Sequence, residues 1–252
     1  MRIDVLILAG AKNEGPLKEY SSESYEALIK LGNKSMVEYV FNAVKASSHT
    51  NKIAIVGPKK KLEKSIGQKI ELIVESGETM VENIQKGIEI LNPQNFVLII
   101  CSDIPLITEK VIDEFINACE EKEADIYYPI IPKKENNSKF PDVDRTYVRL
   151  AEGDFTGGNM ALLKPEILNG GLEWLKKVII WRKKPWKLSQ LLGIKFIFKF
   201  VFGNLSLNEI EERVTEVLGY KGLGLIIKHP EVGFDIDKPS DLELMSRKYI
   251  FN

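Results

Sequence analysis

The chain has 252 residues, of which 44% are hydrophobic and 28% charged, proportions that exclude a disordered, collagen-like or disulfide-scaffold protein. The net charge is only -1, from 35 basic and 36 acidic residues, so no overall basic field indicates nucleic-acid binding. Two cysteines without a Cys/His cluster argue against structural zinc, and no apolar stretch reaches the length of a membrane span, so a cytoplasmic location is predicted.

Short apolar runs alternate with amphipathic stretches in the first half of the chain. This pattern predicts βα units around a parallel sheet that is buried on both faces, the doubly wound α/β class. The predicted strands are 4–8, 52–56, 70–74, 96–101, 125–131 and, near the end of the chain, 223–227. The predicted helices are 34–46, 59–65, 79–91, 108–120 and 205–218, the last with a capping box of Ser206 and Glu209. In such sheets ligands bind at the carboxyl ends of the strands.

The loop after the first strand carries glycines and lysines. A glycine at the strand end, Gly10, lets the backbone approach a phosphate, and Lys12, Lys18 and Lys30 offer positive charge for a polyphosphate. The spacing fits neither GxGxxG nor GxxxxGK[ST], which excludes a dinucleotide fingerprint and a P-loop. A solvated surface loop is the competing interpretation.

Two further segments carry candidate metal ligands. Asp103 follows the apolar run FVLIIC, and Asp235 ends an apolar segment shortly before a helix opened by Pro239. Mg²⁺ prefers one or two protein carboxylates together with substrate phosphate oxygens. We therefore predict Asp103 and Asp235 as magnesium ligands, and Asp237 and Ser240 as helix N-caps.

Five segments together resemble the MobA-like nucleotidyltransferase superfamily in their order and spacing. They are LILAG, EALIKLGNKSMVEYV, SDIPLIT, GGNMALLKPEIL and FDIDKPSDLEL. The resemblance implies a GT-A-type fold, a three-layer αβα sandwich with a mostly parallel, Rossmann-like sheet as in nucleotide-diphospho-sugar transferases. It also implies an enzyme that transfers an NMP from a nucleoside triphosphate to a phosphorylated small-molecule acceptor, with Mg²⁺ as cofactor and release of pyrophosphate.

The same resemblance implies roles for individual residues. The nucleotide would contact Leu8, Ala9, Gly10, Ala11, Gly77, Thr79, Asn83 and Ser102. Asp103 and Asp235 would hold the metal ion. The acceptor would contact the turn of Gly157, Gly158 and Asn159.

Two positions depart from the family pattern. The family's LAGG is LAGA here, with Ala11 in place of a second glycine, and the basic residue that usually precedes the A-L-[IL] run is Glu26. A carboxylate at that position repels a triphosphate, so Lys12, Lys18 or Lys30 would have to act as the catalytic cation. Two alternatives stay open: a GT-A glycosyltransferase that uses a nucleotide-sugar, and a catalytically weak nucleotide-binding or membrane-associated regulatory protein.

The rest of the chain is interpreted as one domain over 1–252 with a helical, basic and aromatic insertion at 170–218. Residues 174–208 contain eight basic residues, no acidic residue and all three tryptophans. This segment could be a cationic lid over the acceptor, or contact an anionic membrane or form a homodimer through 174–204. It could also hold a helix that packs through Ile194, Ile197, Phe198 and Val201 on the sheet or on another subunit. The polar segment 132–145 could be a mobile flap near the acceptor.

Overall fold

The secondary structure was obtained from a computed structural model that describes residues 1–67, 70–170 and 194–248. Its strands are β1 (Ile3–Leu8), β2 (Lys30–Leu31), β3 (Lys34–Ser35), β4 (Thr50–Gly57), β5 (Leu72–Glu75), β6 (Val97–Cys101), β7 (Ile126–Pro132), β8 (Val148–Leu150), β9 (Gly153–Gly157), β10 (Met160–Leu163) and β11 (Gly222–Ile226). Its helices are α1 (Met36–Ala46), α2 (Lys59–Ile66), α3 (Met80–Leu91), α4 (Glu109–Glu120), α5 (Lys133–Lys139), α6 (Glu166–Gly170), α7 (Ile194–Val201), α8 (Leu207–Leu218) and α9 (Pro239–Lys248). Among the described residues, no helix combines the length and the apolar character that a membrane span requires.

Nine of the strands form one twisted sheet in the order β5-β4-β1-β6-β10-β7-β9-β8, and β11 pairs with β7 outside this path. The pairs β5/β4, β4/β1, β1/β6 and β7/β11 are parallel, whereas β10 is antiparallel to both of its neighbours. The mostly parallel α/β sheet predicted from the sequence is confirmed. Strands β8, β9 and β10 were not predicted, because each has only three to five residues and carries too little pattern for a strand prediction.

Strand β1 lies at the centre of the sheet and is buried along its whole length. Val5 and Ile7 belong to the apolar cluster that includes α1 and α4. Leu6 and Leu8 face the opposite side and belong to the cluster that includes Ile84 of α3. A strand covered by helices on both faces needs an unbroken apolar run, which explains the sequence IDVLIL.

The predicted helix boundaries agree with the structure to within two residues, since the expected caps form. Thr79 and Thr108 accept hydrogen bonds from the backbone of α3 and α4, respectively. Ser206 and Glu209 form the predicted capping box at the start of α8. Local capping chemistry therefore determined where these three helices begin.

The segment 132–145 contains a helix and an anchored turn in place of the predicted polar excursion. Helix α5 is followed by Phe140, which is fully buried, and by Val143, which is 8% exposed. The Phe140 ring lies 4.4 Å from the ring of Phe234, centroid to centroid. Two apolar residues in an otherwise polar segment thus fix it to the C-terminal part of the chain.

A third apolar cluster, here called the site cluster, joins parts of the chain that are distant in sequence. Its members include Leu17 from the first loop, Phe140, Phe234, Ile236 and Met245 of α9. Leu17, Phe140, Phe234, Ile236 and Met245 have no exposed surface. The site cluster therefore holds three loop segments and one helix together by the hydrophobic effect.

The predicted insertion at 170–218 is described only from Ile194 onward, because residues 171–193, with all three tryptophans, lie outside the described residues. The predicted helix is present as α7. Its Phe198 and Val201 are 61% and 70% exposed among the described residues, so these two side chains do not pack on the sheet there, and packing of the whole predicted face stays a prediction. Phe196 packs instead on the cluster of Leu150, Phe155 and Leu205. Packing of Phe198 and Val201 on another subunit stays a prediction.

Replacing Gly87 by alanine should destabilise the protein, although alanine is the better helix former by about 1 kcal/mol. A Cβ atom at position 87 would lie 2.3 Å from Leu6 Cδ1 and 2.9 Å from Val56 Cγ2, and both side chains are fully buried. We expect Gly87→Ala to lower the free energy of unfolding by about 1 to 3 kcal/mol, measured by urea denaturation. Gln85→Ala, on the exposed side of the same helix, is the matched control and should have little effect. Equal stability of the two variants would contradict the close packing of α3 on β1.

Candidate functional site

Glycines lie at or within two residues of the ends of three parallel strands, β1, β4 and β5, at one edge of the sheet. A Cβ on Gly57, which ends β4, would lie 2.7 Å from the carbonyl oxygen of Ala9, directly after β1. A Cβ on Gly10 would lie 2.7 Å from both Ser76 Cβ and Asn83 Nδ2. Because no larger residue fits at Gly10 or Gly57, the ends of β1 and β4 and the segment after β5 pack closely against each other at this edge.

Most of the residues predicted to bind the nucleotide meet at these strand ends. Asn83 is 7% exposed, and its Oδ1 accepts a hydrogen bond of 2.7 Å from the backbone N–H of Gly77. Gly10 lies against the same Asn83 side chain, so Gly10, Gly77 and Asn83 form one group, here called the glycine cradle. Thr79 is not part of the glycine cradle. Its hydroxyl accepts a hydrogen bond from the N–H of Glu82 and caps α3.

The neighbouring strand brings the first predicted metal ligand to the same edge. Residue Leu8 of β1 pairs with Cys101 of β6, and the N–H of Ser102 donates to the carbonyl oxygen of Leu8 at 3.1 Å. Leu8 and Ser102 are both buried. Their contribution is therefore to place Asp103 beside the end of β1.

An acidic cluster forms where the end of β6 meets the segment before α9. One carboxylate oxygen from each of Asp103, Asp235 and Asp237 lies within 4.8 Å of the other two. The N–H of Ile236 donates to the carbonyl oxygen of Asp103 at 3.0 Å and joins the two segments. Since Phe234 and Ile236 are buried in the site cluster, the alternating Asp235 and Asp237 face the opposite side, toward Asp103.

The acidic cluster has the donor chemistry that a hard divalent cation prefers. Three carboxylate oxygens at this spacing fit Mg²⁺ coordination with positions left for water or phosphate oxygens. Asp103 and Asp235 thus lie together as predicted, and Asp237 joins them. Asp241 at the start of α9 holds the preceding segment, since its Oδ2 accepts the N–H groups of Asp237 and Lys238 at 3.1 Å each, and helix capping by Asp237 and Ser240 stays a prediction.

Arg145 is a site residue that sequence reasoning did not identify. Its Nη1 forms an ion pair with Asp235 Oδ1, and its Nη2 donates to the backbone carbonyl of Asp235 at 3.1 Å. The guanidinium lies 5.2 Å from the Phe234 ring centroid, and the side chain is only 14% exposed. The turn that carries Arg145 is anchored by Phe140 in the site cluster, which explains how a residue of a polar segment enters the site.

The titration behaviour around the acidic cluster reflects burial opposed by charge. Burial lowers the pKa of Arg145 from its ordinary value, and the nearby carboxylates of Asp241, Asp237 and Asp103 oppose this shift. Burial likewise raises the pKa of Asp241, against the hydrogen bonds that it accepts from the backbone. An arginine keeps its charge in proteins, so Arg145 is a fixed cation among several acids.

The predicted acceptor turn lies at the same edge, because β10 runs antiparallel to its neighbours and begins there. The carbonyl oxygen of Asn159 accepts a hydrogen bond of 3.0 Å from the N–H of Cys101. The N–H of Asn159 donates to the carbonyl oxygen of Val232 at 2.9 Å. Gly158 N–H donates to Pro129 at 2.9 Å. These bonds fix the turn of residues 157–159 beside the end of β6.

The first loop is organised around a buried asparagine. Asn13 is 4% exposed, and its Nδ2 donates to the carbonyl oxygens of Ser21 and Glu23 at 3.1 and 3.0 Å. A cavity of about 440 Å³ lies in this loop, lined by residues 12–14, 18 and 21–25. Lys12 and Lys18 are among the lining residues, whereas Lys30 is exposed on β2 outside this lining.

The two positions that depart from the family pattern are hydrogen-bonded to each other. The N–H of Glu26 donates to the carbonyl oxygen of Ala11 at 3.1 Å. A further cation reaches this loop from α2, since Lys61 Nζ donates to Ser24 Oγ at 3.0 Å and lies 5.9 Å from the Tyr25 ring centroid. Sequence reasoning missed Lys61, because its contact with the first loop depends on α2 and that loop meeting in the folded chain.

Comparison with known proteins agrees with this architecture. A family model described as the MobA-like NTP transferase domain matches residues 6–185. The chain therefore belongs to the MobA-like NTP transferase family, as its motifs indicated. It is similar to a hypothetical transferase from Thermus thermophilus, with 32% identity over 96% of this chain and 100% of that chain, and a TM-score of 0.83. No curated protein matches the sequence.

Two more distant solved structures share the fold. One is a CMP:2-keto-3-deoxy-manno-octonic acid synthetase complexed with CTP, at 12% identity over 98% of this chain and 100% of that chain, with a TM-score of 0.60. The other is a nucleotidyl transferase from Methanothermobacter, at 13% identity over 97% of this chain and 95% of that chain, with a TM-score of 0.59. At these identities the likeness concerns the fold alone.

Replacing Asp103 by asparagine should weaken divalent cation binding while the fold is retained. The change removes one of three converging carboxylates but keeps the size of the side chain. We expect at least a tenfold loss of Mn²⁺ affinity, measured by electron paramagnetic resonance of the free ion. Asp144→Asn, at an exposed position outside the acidic cluster, is the control and should bind like the wild type. Unchanged affinity in Asp103→Asn would contradict the metal site.

Proposed function

We propose that this protein is a Mg²⁺-dependent nucleotidyltransferase that moves an NMP unit from a nucleoside triphosphate to a phosphorylated small-molecule acceptor. Its family membership supports transfer from an NTP. The observation that carries the proposal further is the position of the acidic cluster, which includes Asp103 and Asp235, at the same sheet edge as the glycine cradle and the turn 157–159.

The proposed reaction requires alignment and charge neutralisation more than covalent chemistry from the protein. An oxygen of the acceptor phosphate attacks the α-phosphorus of the NTP, the bond to the β-phosphate oxygen breaks, and pyrophosphate leaves. Mg²⁺, when bound, neutralises phosphate charge and helps to orient the reacting groups. Asp103 and Asp235, with Asp237 beside them, are the residues that would hold it.

The remaining roles follow from position along the sheet edge. Ala9 and Gly10 at the end of β1 are assigned to the nucleotide, and Gly10 packs directly against Asn83, a second residue with this assignment. Gly77 and Asn83, joined by a hydrogen bond, are assigned to the same nucleotide. The turn of residues 157–159 borders the acidic cluster, which suits it to the acceptor.

The cation that replaces the family's usual basic residue should be Lys12 or Lys18. Both line the cavity of the first loop, whereas Lys30 lies outside its lining and is exposed. We expect Lys12→Gln or Lys18→Gln to lower kcat/KM at least tenfold, and Lys30→Gln to change it less than twofold, measured by pyrophosphate release. Loss of turnover in Lys30→Gln alone would contradict this assignment, and Lys30 would then be the catalytic cation.

Several broader expectations accompany the proposal. We expect residues 1–252 to form one domain with 170–218 as an insertion. A cytoplasmic location, a homodimer and a peripheral membrane contact through 174–204 remain predictions. The last two depend on the basic and aromatic composition of a segment that lies largely outside the described residues.

The proposal is tested by thermal unfolding with ATP, GTP, CTP and UTP, each with and without Mg²⁺. A nucleotide at about 100 times its dissociation constant stabilises the fold by about 2.7 kcal/mol, which raises Tm by a few degrees. A Mg²⁺-dependent rise with one nucleotide identifies the base, and pyrophosphate release with a panel of sugar phosphates and phosphoalcohols then identifies the acceptor class.

Two results would overturn the proposal, the first of them from the same unfolding experiment repeated with nucleotide-sugars. Stabilisation by nucleotide-sugars with release of a nucleoside diphosphate would indicate a glycosyltransferase. Nucleotide binding without pyrophosphate release on any acceptor would indicate a regulatory nucleotide-binding protein. In that case the departures at Ala11 and Glu26 would be the first positions to restore to the family pattern.

A further inference from the structure

Arg145 is ion-paired with Asp235, one of the residues of the acidic cluster. Its Nη1 is paired with Asp235 Oδ1, one of the carboxylates of the acidic cluster. Its Nη2 bonds the Asp235 backbone carbonyl, and its Nε is buried without a hydrogen-bond partner among the described residues. Both terminal nitrogens of the guanidinium are therefore engaged with a predicted metal ligand, while Nε has no acceptor in the part of the chain that the structure describes.

We propose that Arg145 competes with the divalent cation for Asp235 and, once the cation displaces it, binds a phosphate group of the substrates. This inference rests on the proposed function, because it assumes that Mg²⁺ binds at the acidic cluster. Arg145 is thus a positioning residue for the metal site and an anion-binding residue for the phosphorylated ligand.

The local charge balance explains why the competition has two stable outcomes. Without a metal ion, Asp235, which is 4% exposed, would be a buried carboxylate beside Asp103 and Asp237 with no cation to neutralise it. A buried acid without a partner is costly, so the Arg145 ion pair stabilises the empty site. A divalent ion brings twice the charge to this carboxylate and leaves the guanidinium only the Asp235 backbone carbonyl as an acceptor.

A phosphate group is the ligand that best suits the displaced side chain. Arginine presents planar N–H donors that match phosphate oxygens in pairs, and its charge is retained when it is buried. The turn 140–145 is held in the site cluster by Phe140, so the side chain can move while its backbone stays in place. Both proposed substrates and the pyrophosphate product carry such groups.

The test compares Mn²⁺ and pyrophosphate binding in wild type, Arg145→Gln and Arg145→Lys. We expect Arg145→Gln to bind Mn²⁺ about tenfold more tightly than wild type, because the competing cation is gone. The same variant should bind pyrophosphate, in the presence of saturating Mn²⁺, at least tenfold more weakly. Arg145→Lys keeps the charge without the paired donors and should lie between the two. Both affinities are measured by isothermal titration calorimetry.

Two controls separate this effect from a loss of structure or a general change of charge. Structural damage would weaken the binding of both Mn²⁺ and pyrophosphate, whereas the proposal requires the two affinities to change in opposite directions. Arg149→Gln removes the same charge from an exposed position on β8 and should leave both affinities unchanged. Thermal unfolding checks that each variant folds. If Arg145→Gln does not fold, the comparison of wild type with Arg145→Lys still tests the proposal.

The outcomes distinguish this inference from the function on which it rests. If wild type and Arg145→Gln bind Mn²⁺ equally well, the competition is refuted and the nucleotidyltransferase proposal stands. If Mn²⁺ binds neither protein, the metal site is refuted together with the proposed function. If Arg149→Gln shows the same pair of changes as Arg145→Gln, a specific role for Arg145 is refuted.

Discussion

The site depends on the burial of one apolar cluster that lies beneath it. Leu17, Phe140, Phe234, Ile236 and Met245 come from distant parts of the chain and pack together without exposed surface. Their burial fixes the first loop, the turn after α5 and the segment before α9 in one arrangement. Without this packing, the sheet would still present its strand ends, but the acids and cations around them would have no fixed relation to each other.

The electrostatics of the site follow from that packing. Residues 234–237 alternate, so burying Phe234 and Ile236 forces Asp235 and Asp237 toward Asp103. Acids brought so close repel each other and require a cation, which Arg145 provides in this structure. A balance of three acids against one arginine is the basis of the proposed metal and phosphate binding, and it agrees with membership of an NTP transferase family.

The elements and the candidate residues were predictable to different degrees. The strands and helices of the first half could be predicted because apolar period and capping residues are local signals. Asp103 and Asp235 could be selected because each ends an apolar run. The position of Asp237 beside the other two acids was not predicted, since a carboxylate before a helix has the same local pattern whether or not it faces another acid.

The residues that were missed share a different property, since their role depends on a partner far away in the chain. Arg145 lies in a polar segment and enters the site because Phe140 packs on Phe234. Lys61 reaches the first loop only because α2 follows β4, the neighbour of β1 in the sheet. Neither contact leaves a signal in the residues next to Arg145 or Lys61.

The sequence by itself determined the α/β class, the family and the strand ends at which ligand chemistry collects, because these follow from short-range periodicity and ordered motifs. Only the tertiary structure decided the strand order with antiparallel β10 and the joining of Asp237 to the acidic cluster. It also decided the pairing of Arg145 with Asp235. The physical reason is that strand pairing, apolar packing and ion pairs between distant segments are set by which surfaces meet when the whole chain is folded.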